Sequence, residues 1–300
     1  RGYAPFLICK KCGFKHSCPN CSIYLTYHKS INKLICHHCG LKTKKESKCK
    51  ADNNLCDFNE YGPGVEKIYE ELKLKFKNKT INIFSSDFLK KKKETLGLLK
   101  KIEDNKIDIL VGTQMISKGY NFPKLNCIVV VDADFSGKGY DLRTTEKNIQ
   151  LYNQLSGRAG RFLKNSLIIY QTISPSNETL KDILENNPDK FLFNELALRK
   201  KNRLPPFYRL ISLILSAVSA HDSFRAAQEI KKKLSGILDI EILGPVDSPI
   251  FKVKKKYRTR LLIRSQNSSL IQKKIAKVLE NLVISKKIKL TVDVDPINFT

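Results

Sequence analysis

The sequence predicts an α/β protein whose parallel, doubly wound sheet carries an inserted cysteine-rich segment and is followed by a smaller α+β unit. Three observations predict this organisation. Apolar runs of strand length alternate with helical patterns between residues 57 and 200, an order typical of parallel sheets. Eight of the nine cysteines lie within residues 9–56. After residue 202 the predicted order becomes strand, helix, two strands, helix and strand, which is a ferredoxin-like pattern.

The elements of the first unit follow from hydrophobic spacing. An apolar strand covers residues 1–8, and the chain returns to this unit after the cysteines through the turn sequence YGPG at 61–64. Continuous apolar runs predict strands covered on both faces, and Cys127 within one of them is expected to be an inert core thiol. The predicted elements after the turn are a helix from Val65 to Phe76, a strand over 80–87, a helix over 90–104, strands over 108–113 and 126–134, a helix over 141–157 and a strand over 166–173.

The second unit begins after NRLPPF at 202–207, where two prolines punctuate the chain,. The predicted domains are therefore 1–8 together with 57–200, the insertion 9–56, and 202–300. The elements predicted in the last domain are a strand over 208–217, a helix over 221–236, strands over 239–243 and 258–264, a helix over 268–283 and a strand over 287–294.

The charge of the chain points to a polyanionic partner. Lysine and arginine number 55 against 29 acidic residues, giving a formal charge of +26, and nucleic acid is the first candidate for such an excess. No apolar run reaches the ~18–20 residues needed to cross a bilayer, so no membrane partner is expected. A basic stretch between the two middle strands of the second unit predicts DNA contacts from Lys252, Lys254, Lys255, Lys256 and Arg258.

The cysteine spacing predicts structural zinc. A pair of cysteines two residues apart presents two sulfurs to one ion, and two such pairs complete a tetrahedral site. Cys18/Cys21 and Cys36/Cys39 are joined by 14 residues, close to the usual ribbon spacing. Four thiolates leave no open position for water, so we expect a structural rather than a catalytic ion.

A second, outer zinc site is expected from the remaining cysteines. Cys9 and Cys12 form one pair, and Cys49 supplies a third thiolate, but position 52 is Asp instead of the cysteine that would close the pattern. The residues alone leave the fourth ligand open. The candidates are Cys56, Asp52 and one of the histidines His16, His28, His37 and His38. Cys56 is favoured, because thiolate is the preferred structural ligand and the chain between Cys49 and YGPG is long enough to bring it in, and Asp52 is second.

Two further stretches predict phosphate chemistry. In QLYNQLSGRAGR (150–161), two of the eleven arginines, Arg158 and Arg161, lie beside small residues that allow a close backbone approach, and guanidinium forks match phosphate oxygens. In VGTQMISKGYNF (111–122), Thr113 and Gln114 follow a buried strand, at the carboxyl end where α/β sheets place ligands.

Together these motifs resemble the second motor lobe of superfamily 2 helicases and, more closely, the C-terminal part of the PriA (primosomal protein N′) family of replication-restart helicases. The matching stretches run in the family's order over nearly all 300 residues. They are RGYAP, the paired cysteines, YHK, CHHCG, YGPG, DILVGTQMISKGYNFP, QLYNQLSGRAGR, LPPF, LGP and VDVDP.

The resemblance implies a RecA-like lobe with an inserted zinc ribbon and a C-terminal DNA-binding domain, within an ATP-driven 3′→5′ helicase of the bacterial cytoplasm and nucleoid. It implies that stalled or abandoned forks and single strands are bound, and that primosome proteins and single-strand-binding protein are partners. Arg158 and Arg161 would be catalytic, contacting the ATP phosphates and stabilising the transferring charge, with Gln154 and Gly157 in the same motif. ATP and Mg²⁺ would be the cofactors of the intact protein. The segment that couples ATP state to the DNA backbone would contain Gly112, Thr113, Gln114, Lys118 and Gly119.

The resemblance also implies a nested pairing of the cysteines, in which the first pair shares a zinc ion with the last cysteines and the second pair shares one with the third. Two structural zinc ions per chain would result.

The sequence also departs from the family. Asp52 stands at the family's eighth cysteine, and neither a G-x-x-x-x-G-K-[ST] loop nor a DExH box is present. We therefore expect a piece of a longer protein that cannot hydrolyse ATP by itself, since the lobe that holds the phosphates is missing. The alternatives are a non-enzymatic zinc-ribbon adaptor that binds nucleic acid and, less well supported by the cysteines, another superfamily 2 helicase.

Overall fold

The fold is taken from a computed structural model, in which the chain divides into two compact units. Unit 1 comprises Arg1–Cys18, Ile23–Phe135 and Lys147–Pro175, and unit 2 comprises Pro19–Ser22, Ser136–Glu146 and Ser176–Thr300. The structure describes residues 3–45, 56–62, 64–85, 89, 92–113, 116, 122, 124–134, 142–159, 166–185, 188–266 and 269–299. Within these residues no helix combines the length and apolar character that a membrane crossing requires.

The cysteine segment of unit 1 is built from short strands and tight turns. Its elements are β1 (Phe6–Cys9), β2 (Thr26–His28), a 3₁₀ turn (Lys29–Ile31), β3 (Lys33–Ile35), β4 (Lys42–Lys44) and β5 (Phe58–Tyr61). β1 pairs with β5, and β2, β3 and β4 form a three-stranded sheet, all antiparallel. Few large apolar side chains are buried here, chiefly Leu7, Leu25, Tyr27 and Leu34.

The α/β part of the chain contains parallel strand pairs, as predicted. Its elements are α1 (Val65–Lys75), β6 (Ile81–Phe84), α2 (Lys92–Glu103), β7 (Ile109–Gly112), β8 (Cys127–Val130), α3 (Thr144–Ala159) and β9 (Leu167–Tyr170). β6 pairs with β7 and β8 with β9, both in parallel. Val65, Ile81 and Val111 join α1 to the first pair in one apolar cluster.

The prediction that the strand over 126–134 is covered on both faces is wrong for β8 within the described residues, and its partner β9 is exposed in the same way. Val129, Leu167 and Ile169 are about half exposed, because alternate residues of a strand lie on opposite faces and the described residues cover one face more closely. Cys127 lies on the exposed face. It is therefore not the buried core thiol that its apolar neighbours predicted.

Unit 2 contains an antiparallel sheet covered by two helices. Its elements are α4 (Glu178–Leu184), α5 (Pro188–Lys201), β10 (Arg209–Ala217), α6 (Ala220–Leu234), β11 (Ile240–Val253), β12 (Lys256–Ser265), α7 (Ser269–Glu280) and β13 (Lys289–Val294). The strand order is β11-β12-β10-β13. Leu213, Leu261, Ile230 and Ile275 belong to the core between the sheet and the two helices α6 and α7.

The order of elements from β10 to β13 is the predicted one, but β11 is much longer than the predicted 239–243. Gly244 and Pro245 argue against a continued strand. The pairing with β12 nevertheless resumes after two register shifts, between Leu243 and Val246 and between Asp247 and Lys252. Residues 252–258 thus form the end of the hairpin that joins the two middle strands, β11 and β12.

Candidate metal centre and nucleic-acid interface

The inner cysteines meet as the sequence predicted. The sulfur atoms of Cys18, Cys21, Cys36 and Cys39 all lie within 4.8 Å of one another, and those of Cys18 and Cys39 are 3.6 Å apart. Tetrahedral zinc with Zn–S bonds of ~2.3 Å requires sulfur separations of about 3.8 Å. Three of the four residues are buried. The donor set and its spacing therefore fit a structural zinc ion.

Local turns bring each cysteine pair into position. The Gly40 N–H donates to the Cys36 carbonyl, and the Cys36 N–H donates to the Leu41 carbonyl, both at 2.9 Å. The Cys39 N–H lies 3.5 Å from Cys36 Sγ. Gly40 has φ +78°, a left-handed conformation that glycine adopts without strain. The sequence CHHCG therefore encodes both the ligands and the turn that aims them.

Within unit 2, the segment Pro19–Ser22 is hydrogen-bonded to the hairpin end formed by β11 and β12. The Ser22 N–H donates to the Lys252 carbonyl and the Lys255 N–H to the Asn20 carbonyl, each at 2.9 Å. The Lys254 N–H donates to Cys21 Sγ at 3.5 Å. Lys254 and Lys255 have φ of 49° and 67°, as a two-residue hairpin turn demands. These hydrogen bonds help to hold two lysines in a conformation that usually favours Asn and Gly.

The outer site is described only in part. Cys9 accepts hydrogen bonds from the backbone of Cys12 and Lys11 and interacts with the side chains of Cys12 and Cys56; the Cys12 backbone bond is the main cause that lowers the pKa of Cys9 from 9.0 to about 7. A depressed thiol pKa favours the thiolate, which is the form that binds metal. Cys49 and Asp52 lie outside the described residues. Cys56 is thus found beside Cys9, and the fourth ligand remains a prediction.

The histidines proposed as alternative ligands make other contacts. His28 Nε2 lies 3.3 Å from His37 Nε2, and His16 packs against the rings of Phe14 and Phe58. His28 Nδ1 lies 3.5 Å from Glu66 Oε1, and both side chains are only 6% exposed. His38 is exposed. His28 and His37 are therefore held by contacts with each other and with Glu66, whereas His16 packs against Phe58, the register partner of Cys9.

Sequence reasoning missed Glu66 and Glu70, which attach the cysteine segment to α1. The Ser30 N–H donates to Glu66 Oε2 at 3.1 Å, and Lys29 Nζ lies 2.6 Å from Glu70 Oε2. The two glutamates are one helical turn apart, so they lie on the same face of α1. Their i, i+4 spacing was the only sign in the sequence that the two glutamates share a helix face. The neighbouring residues gave no indication that this face would contact His28, Lys29 and Ser30.

The structure describes only some of the residues predicted to belong to the motor motifs. Gly112 ends β7, and a Cβ atom there would lie 2.5 Å from the Phe84 carbonyl oxygen, so no larger residue fits without a shift. Thr113 follows directly, while Gln154 and Gly157 lie exposed on α3. The predicted residues Gln114, Lys118, Gly119 and Arg161, and the side chain of Arg158, lie outside the described part of the chain. Whether the two motifs meet stays a prediction.

The five basic residues predicted to bind DNA are not equivalent. Lys254, Lys255 and Lys256 are exposed at the hairpin end. Lys252 Nζ donates to the Pro19 carbonyl at 3.2 Å, and Arg258 is partly buried, which lowers the pKa of its guanidinium. The three exposed lysines are therefore the best placed for a phosphate backbone.

Comparisons with known proteins agree with the cysteine pattern and the second unit. Residues 18–44 match the family model described as PriA DNA helicase Cys-rich region (CRR) domain, and residues 200–297 match Primosomal protein N C-terminal domain. Replication restart protein PriA of Rickettsia conorii is 37% identical over 299 residues, which is 100% of this chain and 46% of the relative.

More distant relatives match over the same extent. Replication restart protein PriA of Bacillus subtilis is 32% identical over 307 residues, covering 99% of this chain and 37% of the relative. The protein of that name from Haemophilus influenzae is 32% identical over 303 residues, covering 99% of this chain and 41% of the relative. The chain thus spans less than half the length of these relatives.

Proposed function

The chain belongs to the PriA family of replication restart proteins, and from this premise we propose that it is the C-terminal part of an ATP-dependent 3′→5′ DNA helicase. In this proposal the helicase recognises stalled or abandoned forks and promotes primosome assembly. The observation that carries the proposal is the four-cysteine site, whose sulfurs lie within 4.8 Å of one another. The parallel strand pairs β6–β7 and β8–β9 also support it. Contacts with primosome proteins and single-strand-binding protein, in the bacterial cytoplasm, are proposed from the family alone.

The finer architecture is part of the proposal. The strand pairs β6–β7 and β8–β9 are proposed to belong to a RecA-like second motor lobe. Unit 2 has the order β10-α6-β11-β12-α7-β13 and a sheet ordered β11-β12-β10-β13, which supports a ferredoxin-like DNA-binding domain. We propose domain limits of 1–8 with 57–200, 9–56 and 202–300.

The motor chemistry is assigned to the residues that match the family motifs. Arg158 and Arg161 would stabilise charge on the transferring phosphoryl group, since arginine placed there is a strong electrostatic catalyst. Gly112, which has no room for a side chain beside Phe84, and Thr113 after it would begin the segment that couples ATP state to DNA. ATP and Mg²⁺ would be bound together with a first lobe that carries a phosphate-binding loop, so the 300 residues alone are expected to be inactive.

Zinc would act structurally in both sites. In the inner site it would join two turns of a segment that buries few large apolar side chains. In the outer site Cys9, Cys12 and Cys49 would bind it with a fourth ligand, for which Cys56 is favoured over Asp52 because its side chain already contacts Cys9.

DNA binding by the hairpin end is tested by reversing its charge. Changing Lys254, Lys255 and Lys256 together to Glu should weaken binding of a forked DNA about tenfold or more at low salt, because fewer phosphates are neutralised. The slope of log K against log salt should fall by about 1 for each lysine that contacts a phosphate. Fluorescence anisotropy at several salt concentrations measures both quantities.

The matched control is a second triple lysine-to-glutamate variant, which changes the net charge by the same amount but at α7. Lys273, Lys274 and Lys277 are exposed on that helix, and their replacement by Glu should leave the salt slope nearly unchanged. An equal effect of both triple variants would show that only the overall charge matters. Wild-type protein that fails to bind DNA would contradict the proposed function itself.

A further inference from the structure

Three aromatic rings, two of them stacked, lie together on the cysteine segment. Phe6 of β1 is the register partner of Tyr61 of β5, and their rings are stacked with centroids 4.9 Å apart and planes 14° apart. The Tyr24 ring lies 5.6 Å from the Phe6 ring. Tyr61 is 61% and Tyr24 50% exposed. We call these three residues, with Lys15, the aromatic platform.

Lys15 adds a positive charge to the platform. Its amine lies 4.8 Å from the centroid of the Phe6 ring and 5.2 Å from that of Tyr24. Lys10 and Lys29 of the same segment are paired with Asp57 and Glu70. No carboxylate of the described residues forms an ion pair with Lys15, so its charge remains available to an anion held at the rings.

The platform is held in place by the backbone around it. Bridges join Ile8 to Lys15 and Ser17 to Tyr24, in addition to the β1–β5 pairing. Each platform residue therefore lies on or beside a paired backbone segment, next to the cysteine turns. Rings positioned in advance lose little conformational entropy when a ligand stacks on them.

We propose that the aromatic platform binds a base of single-stranded DNA, which stacks on the exposed rings while Lys15 contacts the adjoining phosphate. Proteins that bind single strands without sequence preference combine aromatic stacking with cationic contacts to the backbone. The net charge of +26 favours a polyanion over a protein partner of ordinary charge. The proposal rests on the proposed function, because it takes DNA as the ligand, and it adds a site to the hairpin lysines.

The test separates base stacking from backbone attraction. The zinc-loaded 300-residue chain is titrated with a fluorescent oligo-dT and with an abasic oligonucleotide of the same length. Tyr24→Ala and Tyr61→Ala should each weaken oligo-dT binding about five- to 100-fold and change abasic binding little. Tyr24→Phe and Tyr61→Phe should bind as the wild type does, because stacking needs the ring and not the hydroxyl.

Two further variants complete the test. Lys15→Gln should lower the salt slope by about 0.7, the value for one phosphate on a single strand. Phe76→Ala removes a 46% exposed ring at the end of α1, outside the platform, and should leave oligo-dT affinity unchanged. Zinc content and melting temperature confirm that each variant is folded.

The outcomes distinguish the two proposals. Equal losses on both oligonucleotides would overturn the platform and assign the tyrosines to folding, and unchanged affinity of the alanine variants would overturn it in favour of a protein-binding surface. In either case DNA binding that still depends on the hairpin lysines leaves the proposed function intact. Wild-type protein that binds neither oligonucleotide nor forked DNA would overturn both.

Discussion

Replacing Cys36 by Ser should release zinc from the inner site and unfold the three-stranded sheet β2–β3–β4. Cys36 is fully buried, and structural zinc contributes about 10–16 kcal/mol in small zinc-binding peptides. The segment buries too few large side chains to offset that loss. Zinc content per chain should fall by one, and amides of residues 23–44 should lose protection from hydrogen exchange. Cys127→Ser, which alters an exposed cysteine outside the segment, is the matched control.

The same experiment reports on the hairpin of unit 2. Lys255 N–H donates to the Asn20 carbonyl and Lys254 N–H to Cys21 Sγ, so both amides should exchange faster once the turn at 19–22 is released. Retention of zinc and full protection in Cys36→Ser would contradict the assignment of this residue as a ligand.

The fourth ligand of the outer site can be identified by comparing two substitutions, Cys56→Ser and Asp52→Ala. If Cys56 is the fourth ligand, Cys56→Ser should lower the zinc content from two ions to one, while Asp52→Ala keeps two. The reverse result would assign Asp52. A wild-type content of one zinc per chain would show that the outer site does not hold metal.

Arg161→Ala, made in the longer helicase to which we assign this chain, should abolish ATP-driven unwinding. An arginine that stabilises the transferring phosphoryl group is worth about 10³–10⁵ in rate. DNA affinity measured without nucleotide should change little, since the residue is assigned to ATP and not to DNA.

A control arginine separates this role from general charge. Arg225 lies 70% exposed on α6, where it pairs with Glu229, and Arg225→Ala should leave unwinding unchanged. Unwinding at the normal rate in Arg161→Ala would remove the catalytic assignment, and loss of DNA binding in that variant would point to a structural role instead.

Local patterns in the sequence were sufficient for part of the site. The spacing of Cys18, Cys21, Cys36 and Cys39 identified the inner ligands, because a turn of fixed length brings each pair together wherever it lies in the fold. The order of elements from β10 to β13 was also predictable, since hydrophobic periodicity is a local property. For the same reason α1 was found close to its true limits.

Contacts between distant residues were not predictable in this way. The apolar run around Cys127 has no alternation that distinguishes one strand face from the other, so the sequence did not predict that Cys127 lies on the exposed face of β8. Gly244 and Pro245 predicted that β11 would end before them, whereas it continues to Val253. The continuation depends on two register shifts in its pairing with β12, which a local sequence pattern does not indicate. Glu66 was overlooked since its partners His28 and Ser30 lie more than 30 residues earlier in the chain.

The sequence by itself determined that this protein has a four-cysteine site suited to zinc, an α/β unit followed by an α+β unit, and a large excess of positive charge, because ligand spacing, periodicity and charge can be read from the chain without its fold. Only the tertiary structure decided which lysines are exposed, what attaches the cysteine segment to α1, and that Phe6, Tyr24 and Tyr61 share one surface. Those features depend on strand pairing and packing between segments that the chain order leaves far apart.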